Sequence, residues 1–262
     1  MSEVSFQESA EFLYENLRLR TLPVAVRFVR DGVFPEKTVR PKERLGKKIT
    51  ICMGVTMART YGWTVGLAKE DIICVPAMIS FGFTGSKNQA ETVSKLFTEV
   101  TFSKDRETAS RETSSMAFIP SGEIQAVLLS PRAKAGFEPE VVAVYGNPAQ
   151  VMRMVQAWTY VTGERVEGNF GGKIECTEYL TAPFKSAKPR VAIPGSGDRI
   201  FSMTQDDEMV FSMPASAVNT VCAGLRLAGK KIGAKYPITF YQNMQPEFPP
   251  YYKTLAKELK ID

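Results

Sequence analysis

Short apolar runs framed by turn residues alternate along this chain with stretches whose apolar residues recur at helical spacing. Runs of that length suit buried strands. Stripes of that spacing suit helices laid against a sheet, so the expected class is α/β, in the sense of an α+β mixed sheet. The strand candidates are residues 22–29, 72–75, 124–129, 141–145, 190–193 and 208–213. Helical stripes run over 5–18, 52–62, 88–99, 106–117, 148–162 and 218–228. Asn147-Pro148 is a strong helix start: Asn caps well, and Pro fits the first helical position, where its missing N–H would be unpaired anyway. Residues 236–250, rich in Pro and aromatics, read as an extended segment, with a short helix after it.

The two ends of the chain echo each other. Residues 23–28 resemble 141–146, and each strand leads into a helix ending near an aromatic and a Gly, then a loop and a Cys. This predicts two similar, intimately packed halves, 1–135 and 136–262, arising by internal duplication and forming one unit with a ligand cleft between them.

Several function classes are excluded early. The chain of 262 residues has no His, which removes His-based triads, general bases and metal ligands. Its four Cys lie at 52, 74, 176 and 222 with no C-x-x-C, so no ligand set for zinc or iron–sulfur is built from one local run; reduced thiols in a cytoplasm are expected. The longest uncharged run, 209–225, contains Pro214 and falls short of a membrane span. The first residues carry Glu3, Glu8 and Glu11 and do not read as a signal peptide.

The net charge of +5 is concentrated. Residues 20–48 hold nine basic and three acidic side chains. Such a field favours an anionic partner, either a small anion or an acidic protein face; nothing pairs the stretch with a stacking platform of aromatics, which argues against nucleic acid.

Three strings offer anion-binding chemistry. Gly195-Ser196-Gly197-Asp198-Arg199 follows a strand: its glycines let amide hydrogens approach a ligand, and Arg199 supplies a bidentate fork. It has neither the P-loop ending nor the dinucleotide fingerprint. Asn169-Phe170-Gly171-Gly172-Lys173 leads to Glu175-Cys176, with a glycine pair, a positive charge and a nearby thiol. Asn147 and Gln150 stand at a helix start, where the dipole attracts anions. Each string also has a plain reading, as a Gly-rich turn or a cap. Cys52 follows the basic loop at another helix start, a position that lowers a thiol pKa. Cys52 and Cys176 are therefore the candidate nucleophiles, whereas Cys74 and Cys222 sit in apolar patterns and read as core. Asp206, Asp207 and Glu208 could hold a divalent cation but read more readily as a solvated turn before a strand.

Leu22-Pro23-Val24-Ala25-Val26, Glu138-Pro139-Glu140-Val141-Val142, Asn147-Pro148-Ala149-Gln150-Val151-Met152-Arg153 and Asp207-Glu208-Met209 together resemble the DUF169 family, over roughly residues 12–230. The resemblance implies a prokaryotic, cytoplasmic and often anaerobic setting, and no particular reaction or cofactor. Relatives often carry a Cys before the Asp-Glu segment; here 194–199 holds none, which weakens any metal site built on that position.

The resulting expectation is a small-molecule-binding protein with a cleft for an anionic ligand or cofactor, with catalysis left open and self-association allowed. Its ligand contacts would be Asn147, Gln150, Gly171, Gly172, Lys173, Gly195, Ser196, Gly197 and Arg199. The alternatives are a Cys-ligated metal or cofactor carrier, and a non-catalytic subunit docking through the basic loop.

Overall fold

The structure is a computed structural model describing residues 5–168, 170–237 and 249–261. Its frame is one six-stranded sheet: β1 (Val24–Val29), β2 (Val65–Ala68), β3 (Ala126–Pro131), β4 (Val141–Gly146), β5 (Arg190–Ala192) and β6 (Met209–Pro214), in the order β2-β3-β1-β4-β6-β5. All its ladders are antiparallel, so the class is α+β; the parallel pairings are isolated bridges at Val39–Val65, Ile49–Ile72 and Glu167–Arg190. β1 pairs with β3 on one side and β4 on the other, so the sheet runs unbroken across the expected boundary at 135.

The helices are α1 (Phe6–Leu17), α2 (Pro41–Leu45), α3 (Ile51–Tyr61), α4 (Val75–Ser80), α5 (Gln89–Glu99), α6 (Arg106–Thr113), α7 (Pro148–Thr162), α8 (Ala182–Ser186), α9 (Ser196–Phe201), α10 (Val218–Leu227) and α11 (Pro250–Leu259). Period-two alternation in the strands separates two apolar layers. Val24, Val26, Phe28, Val141, Ala143 and Tyr145 face a layer that includes Val55 and Ala58 of α3 and Phe97 of α5. Val142, Val144, Phe211 and Met213 face the opposite layer, with Leu13 and Leu17 of α1, Met154 of α7 and Val221 of α10. In that second layer α7 and α10 make the tightest helix pair. Gly224 allows it, because an added Cβ would collide with the carbonyl of Ala157.

Side-chain caps set several helix starts. Thr50 accepts from the Met53 amide, Asn88 from Glu91 and Asp105 from Thr108. Asn147 and Gln150 form a reciprocal capping box around Pro148.

Several expectations are corrected. Residues 72–75 are not a strand: Ile72 is buried, but Ile73 is 60% exposed, and Cys74 is the residue just before α4. The edge strand is 65–68, where Gly66 and Ala68 weaken the sequence signal. The string 195–199 is not an open glycine loop but the start of α9, with Asp198 reaching back to the Gly195 amide. The stripe at 106–117 stops at Thr113. α2, inside the basic stretch, carries no apolar stripe and so leaves no periodic signal in the sequence. The extended segment expected over 236–250 lies largely outside the described residues.

Read outward from the β1–β4 pair, each flank places the first, third and second strand of its half in the same order. The helices do not follow suit. α3 lies on one face and α7 on the other, and the aligned echo of 23–28 with 141–146 matches Val24 to Val142, which point to opposite layers. The structure therefore does not carry the sequence echo through as a face-for-face duplication.

Candidate functional site

On the face of the sheet that carries α3, five segments line a half-open cavity of about 310 Å³. They are the first turn of α3 (Cys52), the start of α4 (Cys74), the end of α5 with the residues after it (Phe97, Phe102), the loop 173–176, and α9. The cavity wall is mainly apolar and aromatic, and three of the four thiols reach it: Cys52, Cys74 and Cys176. A second cavity of about 390 Å³, lined by Glu112, Met116, Phe170, Gly171 and Glu178, shares Phe97, Lys173, Ile174 and Glu175 with the first.

Two loops meet at the site because glycines let them touch. The Gly172 carbonyl accepts from the Ser196 amide and hydroxyl, both at 3.3 Å. At Gly195 a Cβ would lie 2.9 Å from that same carbonyl oxygen, so the approach is closed to any larger residue. Just beyond Cys176 the chain forms a π-helical turn, Thr177–Thr181, which carries Glu178 and Tyr179. Such turns often occur at functional sites.

Beneath the cavity runs a buried polar chain. Asp198, 3% exposed, accepts from the Tyr179 hydroxyl at 2.7 Å. Tyr179 packs edge-on against Tyr145, and the Arg59 guanidinium lies 4.1 Å from the centre of the Tyr145 ring. Arg59 in turn forks onto Glu208 at 2.7 and 3.1 Å. Burial pushes the Asp198 carboxyl up, against its bonds to Tyr179 and Gly195, and it holds the Tyr145 and Tyr179 phenols well above their usual value.

Of the residues singled out from sequence, Cys52, Cys176, Lys173, Ser196 and Gly197 come together in the first cavity. Gly171 lines the second, and Gly172 and Gly195 form the loop–loop contact. Asn169 lies outside the described residues. Arg199 turns away, donating to the Gln205 carbonyl at 2.6 Å and facing Asp206 at 3.7 Å. Asn147 and Gln150 belong to the other layer, where Gln150 donates to the carbonyls of Leu17 and Arg18 and Asn147 binds Tyr236. The polarity of Gln150 is used up in joining α1 to α7, since a buried amide must find partners and the nearest are at the end of α1, while that of Asn147 goes to the helix cap and Tyr236.

The thiols also differ from expectation. Burial, then the neighbouring Asp198, pushes Cys52 up to about 12, despite its helix-start position and the Thr50 hydroxyl 2.9 Å away. Cys176 is raised well above the usual thiol value, by burial first and then by Cys74 and Asp198. Protonated thiols lack the thiolate character a nucleophile needs. Cys74, read as core, is half-buried and belongs to the cavity wall.

Sequence reasoning missed Glu175. Its side chain is 1% exposed; one carboxylate oxygen accepts from the amides of Gly172 and Lys173, and the other has no partner. Burial, then Glu178, raises its carboxyl to about 7 against those two amide bonds. Glu178 is likewise raised to about 7 by burial. Lys173 lies 2.5 Å from Glu112 and 4.7 Å from the Phe97 ring centre. The readable signal was an acidic residue set between Ile174 and Cys176, where a core segment would be apolar. Among the described residues no group of three or more Cys, Asp or Glu is placed to hold a metal ion.

In the basic stretch, Arg20 is held by Asp207, Arg30 by Glu140 and Arg40 by the fully buried Asp71. No helix among the described residues is long and apolar enough to cross a membrane.

These features define an α+β protein whose one antiparallel sheet carries a thiol-lined apolar cavity over a buried acid–tyrosine–arginine chain. The chain belongs to the DUF169 family of uncharacterised ArCR proteins, whose model matches residues 12–224. It is similar to the uncharacterized protein MJ0308 of Methanocaldococcus jannaschii, at 22% identity over 216 residues, covering 82% of this chain and 91% of that protein. No solved structure gives a significant match.

Proposed function

We propose that this protein binds a small molecule in the cavity between α3, α5 and α9. The observation that carries the reading is convergence: five segments distant in sequence line about 310 Å³ whose walls are mostly apolar with a few polar groups, Asp198, Glu175 and Lys173, among them, the usual make-up of a ligand site. The balance of groups favours a largely apolar ligand over the anion expected from sequence. Arg199 is turned away, Lys173 is already neutralised by Glu112, and Asp198 and Glu175 are both acids. The raised thiols support binding contacts for Cys52 and Cys176 rather than nucleophilic roles. A metal carrier has the shared cavity of three thiols behind it and lacks the convergent donor set. Free thiols and the family suit a reducing prokaryotic cytoplasm.

Titration with the neutral fluorophore N-phenyl-1-naphthylamine tests this reading. Saturable enhancement is expected with the wild type. Gly197→Leu places its side chain where a Cβ meets nothing nearer than Phe201 at 4.0 Å, on the cavity wall, and should weaken binding about tenfold, roughly 1.4 kcal/mol. Absence of saturable binding to the wild type, or full binding by the variant, overturns the assignment.

A further inference from the structure

We propose that Glu175 receives the protonated nitrogen of a small organic amine whose apolar part fills the thiol-lined cavity. The inference rests on the ligand-binding reading above and gives it a substrate class. Among the described residues, Glu175 Oε2 is the one carboxylate oxygen that is buried without a partner. A buried carboxylate oxygen without a donor is costly, and native structures rarely leave one unmet. Glu175 is one of the four residues that line both cavities, with the ligand nitrogen placed against its unpartnered oxygen.

The surroundings select a cation. Glu178 and Glu112 line the second cavity and Asp198 lines the first, against Lys173 as the one basic group on either wall among the described residues. The aromatic wall already accommodates an ammonium: Lys173 Nζ lies 4.7 Å from the centre of the Phe97 ring and 5.9 Å from that of Phe102. A metal ion fits less well, because a divalent cation needs several oxygen or sulfur donors at once and no such cluster is present among the described residues. An ammonium can be held by a carboxylate acceptor together with aromatic ring faces, its remaining N–H groups turned to the open side of the pocket, and both the acceptor and the rings are present.

Isothermal titration at pH 8 with 2-phenylethylamine, 2-phenylethanol and 3-phenylpropanoate separates charge recognition from cavity filling. The wild type should bind the amine at least tenfold more tightly than the alcohol, and the carboxylate not at all. Glu175→Gln, with its fold checked by circular dichroism, should abolish the amine's preference, bringing the amine down to the level at which the same variant binds the alcohol. Equal binding of amine and alcohol by the wild type overturns the amine assignment while leaving the cavity reading intact, and needs no variant that might misfold. So does an amine preference that survives in Glu175→Gln. Failure of all three compounds, together with failure of the neutral fluorophore, overturns both.

Discussion

Arg59 and Glu208, 149 positions apart, form a two-pronged ion pair that is almost wholly withdrawn from solvent, at 2% and 5% side-chain exposure. It ties α3 to the segment before β6 and holds the guanidinium against Tyr145. The Glu208 carboxylate also accepts from the Gln205 amide, so the pair shapes the turn after α9. Removing one partner strands the other charge in the interior. Glu208→Ala or Arg59→Ala should each lower unfolding free energy by about 3–5 kcal/mol in urea denaturation. The double variant should lose much less than the two losses added together. Additive losses would show that the pair does not act as a unit.

Gln150 closes a capping box and donates to two carbonyls at the end of α1. Gln150→Ala leaves those carbonyls and a helix-start amide unmet, with an expected loss of about 2 kcal/mol. Fluorophore binding should be unchanged, because the residue lies on the opposite layer. Weakened binding in a folded variant would place Gln150 in the site after all.

Gly224 sits where α10 crosses α7 at backbone contact. Gly224→Ala must push the helices apart, since the group it meets is the Ala157 main chain and not a movable side chain. A loss of about 1–3 kcal/mol is expected in chemical denaturation, against the stabilisation of up to about 1 kcal/mol that the same change gives inside an unhindered helix. A neutral or stabilising result would contradict the close crossing.

Glu175 links stability to pH. Its folded pKa of about 7 lies above the ordinary 4.5, so between those values the folded protein holds a proton that the unfolded chain has released. Stability is therefore greatest below about 4.5 as far as this group is concerned, and is lost as pH rises through 7, by up to roughly 3 kcal/mol. Glu178 adds in the same direction. The other groups around Glu175 are Lys173 and Glu112, Asp198 on α9, and Cys52, Cys74 and Cys176. Glu175→Gln should flatten the decline in melting temperature between pH 5 and pH 8. An equally steep decline in the variant would assign the effect elsewhere.

The strands at 24–29, 126–131, 141–146 and 209–214 and the helices of the second layer were legible, because each rests on alternation, helical spacing or a cap written in neighbouring residues. The 72–75 run misled because an apolar string can serve as a half-buried helix start as well as a strand. The Gly195–Arg199 string was read for its glycines, but its Asp198 closes back on Gly195 and starts a helix, which swings Arg199 outward.

The amino-acid order alone determined the class of fold, the exclusion of histidine chemistry and the pairing of glycine strings with nearby thiols, since these are properties of composition and short-range spacing. Which side of the sheet each helix covers was decided only by tertiary packing, and that choice sent Asn147 and Gln150 to one layer and Cys52, Cys74 and Cys176 to the other. The acidity of the thiols and of Glu175 was decided there too, because a pKa depends on how far water is excluded and on which charges stand close by, and neither is written in any short stretch of chain.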